Sequence, residues 1–421
     1  MAGKDKKPEI RFAGFIDAWE QRKLDEIADV LDGDRGNNYP NGNELQKRGH
    51  TLFLSATNVT TNGFMFDNNQ YITEEKSNSM GNGKLVVDDI VLTSRGSIGH
   101  IAWYNEATQQ QVPFARINSG MLILRSKNFV IPCFVAQFLK SPLGKKQIDF
   151  ISFGSAQPQL TKKDVSNYIV SFPSDCTEQR KLGDFFDYFD NLITLHQRKY
   201  DKLVIVKKSM LEKMFPKDGT NVPEVRFAGF TDAWEHRKLK EISDKVIEKN
   251  VNLQFTETFT NSAEFGIISQ RDFFDHDISN AENLGSYYVV RNEDFVYNPR
   301  ISAFAPVGPI NRNKLGRNGV MSPLYNVFRT HDIDNTFLEQ YFRSRYWHSF
   351  MKLNGDSGAR SDRFSIKDSV FIEMPIPYPS FKEQLKIGEY LMQLDNLITL
   401  HQRELKKLKN IKKSMLEKMF V

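Results

Sequence analysis

The sequence predicts a pseudo-two-fold internal duplication: two mixed α/β (α+β) domains, each followed by a long helix, with the two helices paired in a coiled coil. Three observations carry this expectation. Residues 8–27 (PEIRFAGFIDAWEQRKLDEI) return at 223–242 as PEVRFAGFTDAWEHRKLKEI, identical at 16 of 20 positions. Residues 177–215 return at 382–420, identical at 24 of 39 positions. Between these repeats lie two stretches of little mutual identity that share one order of strand, turn and helix signals. Two long copies, rather than many units of 20–50 residues, mark a tandem duplication and not a solenoid. The offset drops from 215 to 205 residues between the two repeats, so the second variable stretch is ten residues shorter.

The elements follow in order. The short repeat opens each half. In the first variable stretch, roughly 28–176, Lys84–Ser94 reads as a strand, Arg95–Gly99 as a turn, and Ile101–Tyr104 and Gly120–Arg125 as strands. Pro132–Lys140 reads as a helix with Pro at its first position. The second stretch, 243–381, repeats the plan with Tyr288–Tyr297, Pro299–Pro309, Met321–Arg329 and a helix around Phe337–Phe350. Each stretch then carries a Gly- and Ser-containing loop, Phe153–Leu160 or Asn354–Arg363. A Lys-Asp pair (Lys163-Asp164 or Lys367-Asp368) and an apolar strand ending in Pro follow.

In the long repeat, Leu182, Phe185, Phe189, Leu192, His196, Leu203, Val206 and Met210 fall at spacings of three and four, interrupted once at Lys199. Ile387, Tyr390, Leu394, Leu397, His401, Leu408, Ile411 and Met415 do the same in the copy. This is the stripe of a helix seam. Asp175 or Thr177 is placed to cap the first helix, and Pro216 with Gly219 to stop it. Some 35 helical residues at ~1.5 Å each make a rod of roughly 50 Å. A rod with one apolar stripe needs a partner, and its own copy is the economical one. The expected division is 1–176 (short repeat and first domain), 177–215 (first helix), 216–381 (linker, second short repeat and second domain) and 382–421 (second helix).

Composition bounds the function classes. A chain of 421 residues with 40% apolar residues and 33 Phe exceeds one typical core and excludes intrinsic disorder. No stretch approaches the ~20 apolar residues of a membrane helix, and the polar Met1–Lys7 lacks the apolar core of a secretory signal. Two distant cysteines, Cys133 and Cys176, cannot make a four-ligand metal site and fit a reducing, cytoplasmic setting.

The search for catalytic motifs comes back empty. Met80–Leu85 (MGNGKL) lacks the spacing of a phosphate loop and reads as a turn before a strand. Arg95–His100 (RGSIGH) lacks the dinucleotide spacing and reads as a tight hairpin. Asn298-Pro299-Arg300 has only the first half of an amino-methyltransferase motif. His196 and His401 occupy duplicate seam positions, where packing is the ordinary role and metal or proton sensing the sharper one.

The net charge of +5 is an average. Residues 196–215 carry +4 and residues 401–421 carry +5, leaving −4 for everything else. Solvated helix faces account for this, as does a basic surface turned toward phosphates or an acidic partner subunit.

The layout of short repeat, variable domain and long helix, given twice, resembles the specificity subunit of Type I restriction-modification systems over nearly the whole chain. FAGFIDAWEQRKL with FAGFTDAWEHRKL, and FDNLITLHQR at 189–198 with LDNLITLHQR at 394–403, are its strongest markers. Glu178-Gln179 and Glu383-Gln384 before the helices are similar to the family too. The resemblance implies that each variable domain is a target recognition domain reading one half of an asymmetric bipartite site in double-stranded DNA. It implies helices packed antiparallel as a spacer, docked to two modification (methyltransferase) subunits and two restriction (endonuclease and translocase) subunits. Catalytic residues and cofactors then belong elsewhere: S-adenosylmethionine, ATP and Mg²⁺ are implied for the partner subunits and none for this chain.

Arg and Lys match guanine edges, and Asn and Gln match adenine edges. On that ground the candidate base contacts are Ser94, Arg95, Ser97, Gln157, Gln159 and Lys162 in the first domain. In the second they are Arg300, Arg312, Arg317, Arg360 and Arg363. For each of them a solvated loop position or a phosphate contact is the competing role. Two other readings stand beside this one. A standalone DNA methyltransferase would bind S-adenosylmethionine, and a non-DNA scaffold binding two protein partners would show no salt-dependent duplex affinity.

Overall fold

The computed structural model describes residues 7–152, 159–217, 219–273, 281–357 and 362–421. It divides into two compact units, Met1–Lys199 with His401–Val421, and Tyr200–Leu400. Each unit therefore contains one variable domain, the start of the helix that follows that domain, and the end of the other long helix. The long helices span Cys176–Lys213 and Phe381–Lys418, 38 residues each, or about 57 Å at ~1.5 Å per residue. Asp175 caps the first: its carboxylate accepts the Thr177 amide at 2.6 Å.

In the first unit, four antiparallel strands run in the order Ala28–Asp32, Met121–Ser126, Asp89–Thr93 and Ile101–Tyr104. A second sheet sets Thr51–Leu54 between Tyr71–Ile72 and Ala115–Ile117, the latter pair parallel. Glu20–Lys23, from the short repeat, pairs with Ile169–Phe172, so the repeat closes the domain that it precedes. The helix Pro132–Lys140 is buried along most of its length, as its apolar sequence demands.

The second unit repeats the four-stranded order with Ser243–Lys245, Asn326–Thr330, Phe295–Tyr297 and Ile310–Arg312. Glu235–Lys238 pairs with Pro375–Tyr378 as its counterpart does. Phe259–Ser262 pairs with Gly266–Ser269, and Tyr288–Val290 with Gly319–Met321.

Several expected strands are shorter than their apolar runs. Lys84–Ser94 yields a strand only from Asp89, and Tyr288–Tyr297 splits into two strands in different sheets. The breaks coincide with Asp88 and Glu293, which hold positive φ of 73° and 75°. Such backbone turns the chain out of the ladder. The next residue in each case is a buried carboxylate gripped by an arginine on the adjacent strand. Arg125 donates twice to Asp89, both at 2.8 Å, and Arg329 twice to Asp294, at 2.7 and 2.9 Å. Bidentate geometry of this kind is what compensates burial of a charge. Met321–Arg329 likewise divides, and the helix expected at Phe337–Phe350 is two helices, Asn335–Arg343 and Trp347–Asn354, separated by extended backbone at Ser344.

The long helices are held mostly by their domains. Leu182 and Phe186 enter the first core, and Ile387 and Leu391 the second. Phe186 and Leu391 lie beside the expected seam rather than on it. Leu397, a seam position, stays 43% exposed. Each helix ends in Met-Phe. Phe420 packs at 6.1 Å on Trp19 in the first unit, and Phe215 at 6.3 Å on Trp234 in the second, so the short and long repeats complete one another's cores.

Two glycines make the close approach possible. A Cβ on Gly183 would lie 2.2 Å from Cys133 Sγ and 2.9 Å from the Phe134 amide nitrogen. On Gly388 it would lie 2.9 Å from the Phe337 nitrogen. In both units the glycine lets the long helix sit directly on the domain helix.

Candidate functional site

The duplicated residues form a framework built twice. Arg11 donates to both carboxylate oxygens of Glu178, at 2.6 and 2.7 Å, and Arg226 to those of Glu383, at 2.6 and 2.8 Å. Gln179 accepts from the Ile131 amide at 2.9 Å and donates to the Pro173 carbonyl at 2.8 Å. Gln384 does the same with Asp334 and Pro379, at 2.9 Å each. The Glu-Gln dipeptide thus anchors each long helix to the short repeat, to the domain helix and to the last strand.

The aspartate of each DNLITLHQ segment is a second hub. Asp190 accepts from Gln137 at 3.0 Å, Lys140 at 3.1 Å and Lys412. Asp395 accepts from Gln340 at 3.1 Å, Arg343 at 2.8 Å and Lys207. Burial alone would raise the Asp190 pKa, but Lys140 and Lys412 outweigh it and hold the carboxyl below its usual range. In the first unit, Asp190 meets Lys412 and His196 meets His401, which makes the helices antiparallel there. The two His Nδ1 atoms are 3.1 Å apart. Burial and the neighbouring His196 lower the His401 pKa, and a neutral pair permits one ring N–H to donate to the other ring. Lys207, Lys412 and Lys418, part of the basic helix charge, are committed to Asp395, Asp190 and Glu9 within the chain.

The candidate base contacts separate into three groups. Arg95, Ser97 and Lys162 are exposed, and Gln159 is half-buried. Arg95 and Ser97 sit on the turn that links two strands of the first sheet, and Lys162 on the first turn of the helix Lys162–Ser166. Arg300 and Arg363 are exposed and brought together, since their backbones form an antiparallel bridge.

Ser94 and Arg312 are corrections. Ser94 is fully buried at the end of a strand and cannot reach a base. The Arg312 side chain is 8% exposed and held by Glu293 at 2.9 Å and Glu339 at 2.6 Å. Arg317 is exposed and donates twice to Glu257 at 2.7 Å. Gln157 and Arg360 lie outside the described residues.

Two sequence motifs resolve as structure. In Met80–Leu85, the Gly81 amide donates to Asp34 at 2.7 Å, and the Gly81 and Asn82 carbonyls accept from buried Arg116 at 2.5 and 2.9 Å. The turn is thereby filled from within the chain. Asn298 is buried, accepting from the Arg300 amide at 3.0 Å and donating to the Asn261 carbonyl at 2.7 Å. Among the described residues, no group of three or more His, Cys, Asp or Glu side chains could hold a metal ion. Nor is any described helix long and apolar enough to cross a membrane.

Sequence reasoning passed over a polar cleft of about 1000 Å³ in the first unit, lined by Lys47, Arg48, Ser55, Asn68, Gln70 and Tyr71 among others. Its available signal was the run Asn68-Asn69-Gln70, amide side chains in a loop between two apolar strands.

Comparison with known proteins adds the following. The sequence profile of the Type I restriction modification DNA specificity domain matches residues 16–204 and again 231–410. The type I restriction enzyme MjaVIII specificity subunit of Methanocaldococcus jannaschii is 25% identical over 317 residues, 71% of this chain and 72% of that protein. The crystal structure of a Type-I restriction-modification system S subunit from M. genitalium superposes with a TM-score of 0.61 at 13% identity, covering 99% of both chains. That last likeness concerns the fold.

Proposed function

Because the chain belongs to the Type I restriction modification DNA specificity domain family, we propose that its two variable domains each read one half of an asymmetric, bipartite site in double-stranded DNA. The chain is a DNA-recognition subunit of a Type I restriction-modification system and not the catalytic one. It works in assembly with other subunits. In this proposal the paired long helices set the gap between half-sites and dock two modification subunits and two restriction subunits in the cytoplasm. S-adenosylmethionine, ATP and Mg²⁺ are left to those partners.

One observation carries the reading. The framework of Arg11–Glu178, Gln179 and Asp190 is reproduced residue for residue by Arg226–Glu383, Gln384 and Asp395, while the loops it supports differ. Identical mounts with different faces suit two readers of different sequence, and loops on a rigid scaffold are where such differences belong. Phosphate contacts would supply the affinity and base edges the choice.

The test is a titration of the chain, assembled with its modification subunit, against duplex DNA from 50 to 200 mM salt. A linear fall of log K with log salt, steeper than about −4, supports phosphate neutralisation by several cations. Salt-independent or absent duplex binding would favour the protein scaffold instead.

A further inference from the structure

We infer that the cleft between residues 47 and 71 of the first unit is a DNA-reading pocket, in which Asn68 and Gln70 address an adenine edge and Lys47 and Arg48 hold the adjoining phosphates. The inference rests on the recognition function proposed above and names residues for it.

The cleft is built rather than incidental. Two of its lining residues, Ser55 and Asn68, are held by Asn58, which is 1% exposed. The Asn58 amide donates to the carbonyls of Met65 at 3.0 Å and Asn68 at 3.2 Å. Its oxygen accepts from the Ser55 amide at 2.9 Å and the Ser55 hydroxyl at 3.0 Å. One buried side chain therefore ties the segment at Ser55 to the segment at Asn68. The Phe53 amide donates to the Gln70 carbonyl at 2.8 Å, so the far wall is also pinned to the sheet. Gly49 permits the approach of the near wall, since a Cβ there would stand 2.8 Å from Tyr71 Cβ.

Against this fixed backbone, the side chains of Lys47, Arg48, Asn68 and Gln70 are exposed and make no hydrogen bond or ion pair among the described residues. That sets them apart from the arginines of the second unit, where Arg312, Arg317 and Arg329 are satisfied by carboxylates. Amide groups on a preorganised backbone offer the donor–acceptor pair that matches adenine N7 and N6. Two cations beside them fit a polyanion, and the lining contains a single carboxylate, Asp67.

The experiment uses the full chain assembled with its modification subunit and a pool of random duplexes, reading the methylated motif by sequencing and the affinity by titration. Wild type first establishes a two-part motif, and a wild type without one would refute the recognition function itself. Against that motif, N68A/Q70A is expected to lose discrimination at an adenine in one half only, by about tenfold or more. K47A/R48A is expected to weaken binding to all sequences and to reduce the salt slope by about 2. If wild type yields the motif and N68A/Q70A leaves it unchanged, the pocket does not read bases and the inference falls. Equal loss in both halves would also overturn it, because a local reader cannot act on the distant half-site.

Discussion

Replacing Gly183 with alanine puts a methyl where the first long helix lies on the helix Pro132–Lys140. In an open helix this change raises stability by about 1 kcal/mol through helix propensity. Here the new Cβ would stand 2.2 Å from Cys133 Sγ, 2.9 Å from the Phe134 nitrogen and 3.1 Å from the Cys133 carbonyl carbon. Ordinary carbon contacts lie at ~3.5–4.0 Å. The thiol can rotate aside, but the Phe134 nitrogen is backbone and moves only with its helix. Overpacking of this kind costs about 1–3 kcal/mol. The backbone clash places it at the upper end, for a net loss of about 2 kcal/mol after the propensity gain. Native-state hydrogen exchange resolves the two units separately, which a single unfolding transition of a two-unit chain does not. Amides of 132–140 should exchange roughly 30-fold faster in G183A, with 335–343 unchanged. G388A should show the reverse pattern. The double variant C133A/G183A should recover only part of the protection. Unchanged or increased protection in G183A would refute the close-packing argument.

Two further outcomes follow from the same contacts. D190N leaves Lys140 and Lys412 half-buried without their counter-ion and should cost the first unit about 3–5 kcal/mol, with a smaller loss for D395N because Asp395 is more exposed. Exchange in each unit measures both, and equal protection in wild type and variant would count against the hub. The second outcome concerns pH. His401 has a lowered pKa in the fold, so the unfolded chain binds the proton more readily. Its contribution is present above the unfolded value of about 6.5 and is lost as pH falls through the folded one. The fall in amide protection factors of the first unit between pH 8 and pH 5 should therefore shrink in H401Q, and an equal fall would exclude the histidine pair as its source.

The fold was legible in the sequence where a pattern is local or duplicated. The long helices, the helix Pro132–Lys140 and the closing strands stand where periodicity and Pro positions put them. Strand ends were less legible, because Asp88 and Glu293 adopt positive φ without the Gly or Asn that usually announces it. Site residues were harder still. Ser94 follows a run buried on both faces, so alternation gave no sign that it points inward. Arg312 looks free in the sequence, yet its carboxylates are 19 and 27 residues away. Asn58 reads as one more polar loop residue, and only the fold shows the two segments it joins. The bridge that brings Arg300 to Arg363 spans a wider gap still, 63 residues. Pairings at such separation are set by tertiary structure and leave no mark on spacing.

Mapping the sites methylated by the assembled complex, with the native helices and with seven residues inserted in each seam between His196 and Leu203 and between His401 and Leu408, tests the central claim most directly. One heptad preserves the apolar stripe and adds ~10 Å of helix, which corresponds to about 3 base pairs of B-DNA. Two unlike half-sites, unchanged by the insertion but separated by a gap about 3 base pairs longer, are the predicted result. A single contiguous motif, or a gap that ignores the added heptad, would contradict the account.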